Sequence, residues 1–431
     1  MNIYFSGIGG VGIGPLAELA ASAGHTVFGS DSAKSLTTDR LEKQNFNIEI
    51  GEQNGDFLRE INEAQTIDWY VYTAALPADH PELVLARELG LKISKRDELL
   101  NHLIEEKSLK LIAVSGTHGK TTTTGMLIWV FKQLGIPASW SIGTTLNFSE
   151  AGFFDPKSEY FIYEADEFDR NFLHFSPFVS LITSIDYDHT DIYKTPEEYL
   201  EAFIEFAAQS EFTMSWKDQH SEIFKDIKNK VLLSEPDLEI TLPGDHNKRN
   251  AELVVETLDY IDSFYPGKFG EDLHQKVIEA LNSFPGINRR FEQITDNIYS
   301  DYGHHPVEIK ATLQMAREVA ENSGLNGVAL VYQPHQNVRQ VEVQDQYTDD
   351  IFENADKIVW LPTYLSREDP DLEILSPDFL ARKIDGNKIE FTDLNEDLTA
   401  KITQLENESY LVLAMSAGTL DGWLRDNFAQ N

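Results

Sequence analysis

The chain alternates short apolar runs with longer amphipathic stretches from end to end. Runs of strand length bounded by turn residues read as buried strands, and apolar positions recurring three and four apart read as helices. The pattern predicts strands at 2–6, 26–29 and 68–73 and helices at 15–23 and 81–89, the helices closed by Gly24 and Gly90. A polar stretch at 105–108 suits a linker. The rhythm resumes with strands at 109–114, 160–163 and 179–182 and helices at 121–134 and 196–208. After about residue 289 it continues with a helix at 307–320 and strands at 327–332, 357–361 and 410–415. Strand followed by helix, over and over, argues for parallel sheets in layered α/β domains. The expected division is 1–106, 107–285 and 286–431.

Composition narrows the class of protein. At 431 residues, 41% hydrophobic and 25% charged, the chain has apolar material for several cores. No apolar stretch approaches the ~18 residues that span a bilayer. The N-terminus reads as a strand and turn rather than a signal peptide, so a cytoplasmic protein is expected. Cysteine is absent, which excludes disulfides, thiolate catalysis and thiolate metal sites. The formal net charge of −37 repels nucleic acid and anionic membrane. It leaves small-molecule substrates as the expected partners of a monomer or homodimer. Anionic ones must be captured by glycine-loop amides, helix N-termini, a few Lys and Arg side chains, and divalent metal.

Two glycine-rich turns carry the chemistry. Between the strand at 109–114 and the helix at 121–134 lies Ser115-Gly116-Thr117-His118-Gly119-Lys120-Thr121-Thr122-Thr123. Such a turn lets backbone N–H groups close around phosphate, with the helix dipole behind them. Lys120 can reach the β- and γ-phosphates of ATP, and the Thr121 hydroxyl is placed to ligate Mg2+. Only two residues separate Gly116 from Gly119, so the loop is shorter than in general P-loop ATPases. Near the N-terminus, Gly7-Ile8-Gly9-Gly10-Val11-Gly12 precedes a helix, with Asp31 nineteen residues beyond. That satisfies the dinucleotide fingerprint. Alone it favours an NAD-dependent oxidoreductase, but it reports a pyrophosphate on a helix N-terminus, and UDP-sugars carry one too.

The short form GTHGKTT resembles the ATP-binding loop of the Mur ligases, and other segments resemble that family's landmarks in the same order. They are Glu164-Ala165-Asp166-Glu167-Phe168-Asp169, Asp188-His189-Thr190-Asp191 with Tyr193, Gly244-Asp245-His246-Asn247 with Asn250, and Arg289-Arg290-Phe291-Glu292. Asp301-Tyr302-Gly303-His304-His305-Pro306 and Tyr332-Gln333-Pro334-His335 resemble the wording of the alanine-adding branch. The resemblance implies three domains: a Rossmann-like N-terminal domain, a central P-loop ATPase-type domain and a C-terminal Rossmann-like α/β domain. It implies ATP-dependent ligation of L-alanine to the lactyl carboxylate of UDP-N-acetylmuramate. Attachment of a recycled murein tripeptide is the nearest alternative.

The same resemblance assigns roles. Gly116, Thr117, His118, Gly119, Lys120, Thr121 and Thr122 would bind ATP, joined by Asn247, Asn250, Arg290 and Asp301. Thr121 and Glu164 would hold Mg2+ and His189 a second Mg2+, with Lys120, Glu164, His189 and His304 as the catalytic set. Gly9, Gly10 and Val11 amides are candidates for the UDP diphosphate, and Asp31 and Thr73 for the uridine side. Tyr302, His304 and His305 would lie in the amino-acid region, where a histidine could orient or deprotonate the incoming amine. Spacing alone leaves duller readings open: Asn247 as a helix cap, Arg290 as a solvated arginine, the paired histidines as a satisfied loop. Departures from the family's wording bear on the amino acid added: the stretch between Ser184 and Asp188 lacks the usual N-I-E-P, and the helix at 196–208 offers no lysine of the kind sister ligases carbamylate. Gln336-Asn337-Val338-Arg339 stands where the family usually has Arg and an aromatic, and the middle domain is trimmed between Thr213 and Gly244.

Overall fold

A computed structural model of the chain describes residues 1–429 except 11, 74, 75, 191, 235, 237, 367 and 369–371. Three sheets account for its strands. The first contains β1 (Asn2–Ser6), β2 (Thr26–Asp31), β3 (Asn47–Ile50), β4 (Trp69–Tyr72) and β5 (Lys92–Ser94), all parallel, in the order β3-β2-β1-β4-β5. That order reverses between β1 and β4, and open α/β sheets bind ligands outside the carboxyl ends of such a pair. The fingerprint loop leaves β1 at this point.

The second sheet contains β6 (Lys110–Ser115), β7 (Ala138–Ser141), β8 (Gly152–Phe153), β9 (Tyr160–Glu164), β10 (Val179–Ile182), β11 (Thr213–Trp216) and β12 (Lys230–Leu233). Its order is β12-β11-β10-β6-β9-β7-β8, with only β8 antiparallel to its neighbour. β6 is central and apolar on both faces, as a parallel strand covered by helices must be. The third sheet contains β13 (Glu292–Gln293), β14 (Ile298–Asp301), β15 (Gly327–Tyr332), β16 (Lys357–Trp360), β17 (Ile389–Phe391) and β18 (Tyr410–Met415), ordered β13-β14-β18-β15-β16-β17.

The chain divides into two compact units, Met1–Asp237 with Asn250–Phe284, and Leu238–Arg249 with Pro285–Asn431. The first unit holds two sheets over one continuous core that runs from Ile3 and Phe5 to Phe161, Phe203 and Phe206. Close approach there depends on Gly152, where an added Cβ would stand 2.8 Å from Pro15. The second unit packs its helices on both faces of the third sheet.

Strands expected at 2–6, 179–182, 327–332 and 410–415 occur at those residues, and most other elements shift by a residue or two. The polar stretch at 105–108 is a correction. Glu105 and Glu106 end a helix, Arg96–Glu106, and only Lys107 and Ser108 connect it to β6. Several strands were not foreseen, among them β11, whose Thr-Met-Ser-Trp sequence looks polar yet is fully buried. Its hydroxyls are satisfied internally, Thr213 and Ser215 donating to the carbonyls of Ala207 and Ile182. No helix among the described residues is long and apolar enough to cross a membrane.

Candidate active site

A phosphate loop needs glycine where the chain leaves the strand and where it enters the helix, because both turns use backbone angles that side chains resist. Gly116 has φ +132° and Gly119 φ +86°. A Cβ on Gly116 would stand 2.3 Å from Thr183 Oγ1 and 2.8 Å from the Ser184 carbonyl oxygen, so the loop lies hard against the segment after β10. That segment holds it in place. The Thr117 N–H donates to the Ser184 carbonyl at 3.0 Å and the His118 N–H to the Ser184 hydroxyl at 2.9 Å. The Thr117 hydroxyl bonds Asp186 and Tyr199, and His118 Nε2 lies 3.6 Å from Asp186. Gly119 abuts Asn250, whose buried amide would lie 3.1–3.2 Å from an added Cβ.

Lys120, Thr121 and Thr122 form the first turn of the helix Lys120–Gln133. Parallel pairing of β6 with β9 sets Val114 opposite Glu164, which delivers that carboxylate to the loop. The Thr121 hydroxyl donates to Glu164 Oε1 at 2.6 Å, and the Gly143 N–H holds Oε2 at 2.7 Å. Lys120 Nζ donates to the carbonyls of Gly116 (2.6 Å) and Thr117 (3.3 Å) and to Glu167 Oε2 (2.8 Å).

Glu167 is the site residue that sequence reasoning passed over. It is fully buried, accepts a hydrogen bond from the Tyr199 hydroxyl at 3.2 Å, and lies 3.6 Å from His189 Nε2. Burial pushes its carboxyl up, but Lys120 and His189 outweigh burial and hold its pKa at about 2. Burial lowers Lys120 and His189 in turn, and the carboxylate neighbours more than restore both, so each ends above its ordinary value. The signal was in the sequence, as the second acid of Glu164-Ala165-Asp166-Glu167.

The expected metal ligands fall in two groups. Asp166, Glu167 and His189 place ligand atoms within 4.8 Å of one another, whereas Glu164 is outside that group and pairs with Thr121. Carboxylates and a hydroxyl with one imidazole make an oxygen-rich set that fits a divalent cation. Backbone strain marks the same place: His189, Asp169 and Arg170 have φ of +56°, +54° and +57°. Such conformations cost about 1–3 kcal/mol each and collect at functional sites. Asp191 lies outside the described residues.

At the N-terminal glycine turn the amides expected to bind diphosphate already have partners. The Gly9 N–H donates to Asp31 Oδ2 at 2.8 Å and the Gly10 N–H to the Gly7 carbonyl at 3.1 Å. Asp31 therefore braces the loop, its other oxygen accepting from the Ala33 N–H at 3.2 Å. Thr73 packs on Gly7, where a Cβ would stand 2.7 Å from its methyl group. Val11 lies outside the described residues, as do Ala74 and Ala75 next to Thr73. Between this turn and β9 runs a cleft of about 200 Å³ lined by Gly12, Arg96, Ser141, Gly143, Glu164 and Asp166, among others.

The second unit has its own constellation. Asp301, buried at the end of β14, accepts from the Gly303 N–H (2.6 Å) and the Phe291 N–H (2.8 Å), tying the Arg289–Phe291 turn to the histidine loop. Both its oxygens thus serve the fold. The guanidinium of Arg290 lies 5.3 Å over the Tyr302 ring and 3.8 Å from Glu308. His305 caps the helix Pro306–Asn322. His304 is held on both sides: Nδ1 lies 3.3 Å from the Tyr302 carbonyl, and Nε2 takes a hydrogen bond from Arg339 at 2.8 Å. Burial lowers its pKa. In this arrangement the Arg339 guanidinium occupies the acceptor nitrogen of His304. Asn247 is likewise tied down, donating to the Pro243 carbonyl at 3.0 Å and to Met315, so it does not share the surroundings of Asn250. Asn337, one of the departures, pins the loop after β16 by bonding Glu368, Glu373 and Leu375.

Comparison with known proteins points to one family. A family model described as the catalytic domain of the Mur ligase family matches residues 2–108, and one for the Mur ligase middle domain matches 114–234. The UDP-N-acetylmuramate--L-alanine ligase of Clostridium tetani is 31% identical over 97% of this chain and 96% of its own. That of Fusobacterium nucleatum is 30% identical over 97% and 94%. Among solved structures, the UDP-N-acetylmuramate-alanine ligase of Thermotoga maritima superposes with a TM-score of 0.72 at 25% identity, covering 99% of this chain and 98% of its own. A murein peptide ligase of Psychrobacter arcticus shares the fold, with a TM-score of 0.63 at 21% identity over 99% and 98%.

Proposed function

The chain belongs to the Mur ligase family, and from that premise we propose that it joins L-alanine to the lactyl carboxylate of UDP-N-acetylmuramate, consuming ATP in the cytoplasm. The observation that carries this reading is the phosphate loop at the carboxyl end of β6, with Thr121 bonded to Glu164 and Lys120 to Glu167. The N-terminal fingerprint no longer favours an oxidoreductase, because a fold of order β3-β2-β1-β4-β5 serves any pyrophosphate ligand and the chain's relatives are ligases. The domains proposed are 1–106 for the sugar nucleotide, 107–285 for ATP and 286–431 for the amino acid.

Ligation of this kind proceeds by attack of the carboxylate on the γ-phosphate, giving an acyl phosphate as ADP leaves, and the amine then attacks the acyl carbon with loss of phosphate. Phosphoryl transfer asks a protein for positioning and charge neutralisation more than for covalent help. Lys120 suits that task once nucleotide draws its ammonium from Glu167. The loop amides would cradle the phosphates, and Asn250, fixed beside Gly119, is the amide candidate for the adenine side. Thr121, Glu164, Asp166, Glu167 and His189 would hold Mg2+, which when bound supplies positive charge beside the transferring phosphoryl group. Arg339 and Arg290 are the cations of the second unit suited to an amino-acid carboxylate or phosphate.

The test is phosphate release from ATP with UDP-N-acetylmuramate and Mg2+, comparing L-alanine, L-serine, glycine and the murein tripeptide. Release that depends on L-alanine supports reaction and substrate together. Release with tripeptide alone keeps the chemistry and replaces the substrate. No release with any amine removes the ligase reading.

A further inference from the structure

Tyr199 belongs to no motif, yet its side chain links the phosphate loop to the carboxylate that holds Lys120. It is the fourth residue of the helix Pro196–Gln209 and is buried. Its ring is walled by aromatic neighbours, with the Tyr193 and Phe203 rings edge-on at 4.9 and 5.2 Å. That packing fixes the place of the hydroxyl: Thr117 Oγ1 of the phosphate loop lies 2.8 Å from it and Glu167 Oε1 3.2 Å. The Tyr193 hydroxyl donates to the Glu167 carbonyl at 2.6 Å, so the segment carrying the carboxylate is tied to the same aromatic group.

The Tyr199 hydroxyl has one proton for two acceptors. Thr117 Oγ1 can do without it, because it takes the Asp186 N–H and gives its own proton to the Asp186 carbonyl, both at 2.8 Å. Glu167 can do without it only while Lys120 stays, since Lys120 Nζ serves the other carboxylate oxygen at 2.8 Å. His189 Nε2 stands farther off, 3.6 Å from the oxygen that Tyr199 reaches. On the ligase reading, nucleotide draws the Lys120 ammonium to its phosphates. Glu167 is then a fully buried carboxylate that has lost its strongest donor, and the cost of leaving it so opposes the movement. The phenolic proton already beside it meets that cost by a rotation of the hydroxyl. Thr117 turns its own proton from Asp186 to the phenol oxygen. No proton changes owner and no ring has to move.

We infer that Tyr199 is a positioning residue whose hydroxyl takes over Glu167 when Lys120 turns to nucleotide. The inference rests on the ATP-binding part of the proposed function and adds to it the residue that frees the lysine. A group that stabilises the state with the lysine released tightens nucleotide binding by the same factor.

Two measurements on the full chain test this, and neither needs turnover. Tyr199→Phe keeps the ring and loses the hydroxyl. In calorimetry with ATP and Mg2+ it is expected to bind ATP about tenfold more weakly or worse, the worth of one hydrogen bond to a charged group. UDP affinity should stay at the native value. In the Glu167→Gln background the same substitution should change ATP affinity by less than about twofold, because no carboxylate is left to take over. Thermal unfolding without ligand gives the second readout. Tyr199→Phe alone should leave the melting temperature near that of the native chain, where Lys120 still serves Glu167. In Lys120→Ala, where Glu167 has lost its lysine without any nucleotide, the same change should lower it by about 3 °C or more. Native ATP affinity in Tyr199→Phe overturns the inference. So does an ATP loss that persists undiminished in Glu167→Gln, which would place the effect at Thr117, and so does an equal fall in melting temperature in both backgrounds. A native chain that shows the predicted couplings yet releases no phosphate with any amine removes the ligase reading and leaves Tyr199 its role.

Discussion

Lys120 and Glu167 are each tolerable in a buried place because of the other, the side chains being 14% and 0% exposed. Removing one partner of such a pair leaves an uncompensated charge and costs about 3–5 kcal/mol. Lys120→Ala should therefore do two separable things. It should abolish ATP-dependent turnover, since no other cation takes the phosphate-loop position, while UDP-N-acetylmuramate affinity stays within a few-fold. It should also lower the melting temperature, because Glu167 keeps only His189 and the Tyr199 hydroxyl. The double variant Lys120→Ala with Glu167→Gln should regain part of that stability and none of the turnover. If the double variant melts lower than the single one by the full cost of Glu167→Gln alone, the pair is not coupled. Equal loss of turnover and of sugar-nucleotide binding would count against separate sites for the two nucleotides.

At the level of elements, the loop between β6 and its helix works because two glycines bend it and the segment after β10 fills the space beneath. Gly116→Ala combines a left-handed backbone with a Cβ 2.3 Å from Thr183 Oγ1. The strain alone is about 1–3 kcal/mol, and the clash comes on top, so Thr183 and Ser184 must shift and release the Thr117 and His118 amides. ATP binding should fall below detection in calorimetry while UDP binding persists; an alanine variant with native ATP affinity would show that the loop geometry is not needed. Much of this was legible beforehand. The apolar runs of β1, β6 and β15 and the glycine turns that follow β1 and β6 announce themselves, since parallel central strands are apolar on both faces. β3 and β17 did not, because edge strands are short and half-exposed and their composition is that of a loop. β11 was hidden by hydroxyls whose partners belong to other elements. For the same reason Glu167 escaped notice: it pairs with Lys120, a neighbour that only the packing of strands and helices supplies. The pairing of His304 Nε2 with Arg339 is likewise a tertiary fact.

Across the whole molecule, the phosphate-loop network of the first unit and three histidines of the second titrate in opposite senses. In the first, Glu167 is depressed to about 2, so its contribution is complete above about 4.5 and is lost only as pH falls from there towards 2. His189 is raised, so what it contributes is full below about 6.5 and declines as pH climbs through its higher folded value. The second unit holds histidines shifted the other way. Burial pushes His246 and His335 each down to about 4 from 6.5, and lowers His304 as well. Between those values the unfolded chain binds protons that the folded unit refuses, so stability falls on acidification, by up to about 1.4 kcal/mol per pH unit for each histidine. Net charge complicates the raw trend, because protonating carboxylates also relieves the repulsion of a chain at −37. A variant cancels that term. From pH 6.5 to pH 5 the native chain should lose up to about 2 kcal/mol more stability in urea unfolding than His246→Gln, which has no imidazole to keep neutral. The His246 ring itself should titrate near 4 by NMR. Parallel losses in the two proteins, with a ring titrating near 6.5, would mean that the imidazole is hydrated in the native state. With the predicted difference, acid loosens the compact unit that His246 shares with Pro285–Asn431, the part proposed to hold the amino acid, while the Lys120–Glu167–His189 network stays intact. Mild acid should then erode amino-acid-dependent turnover before it erodes ATP binding.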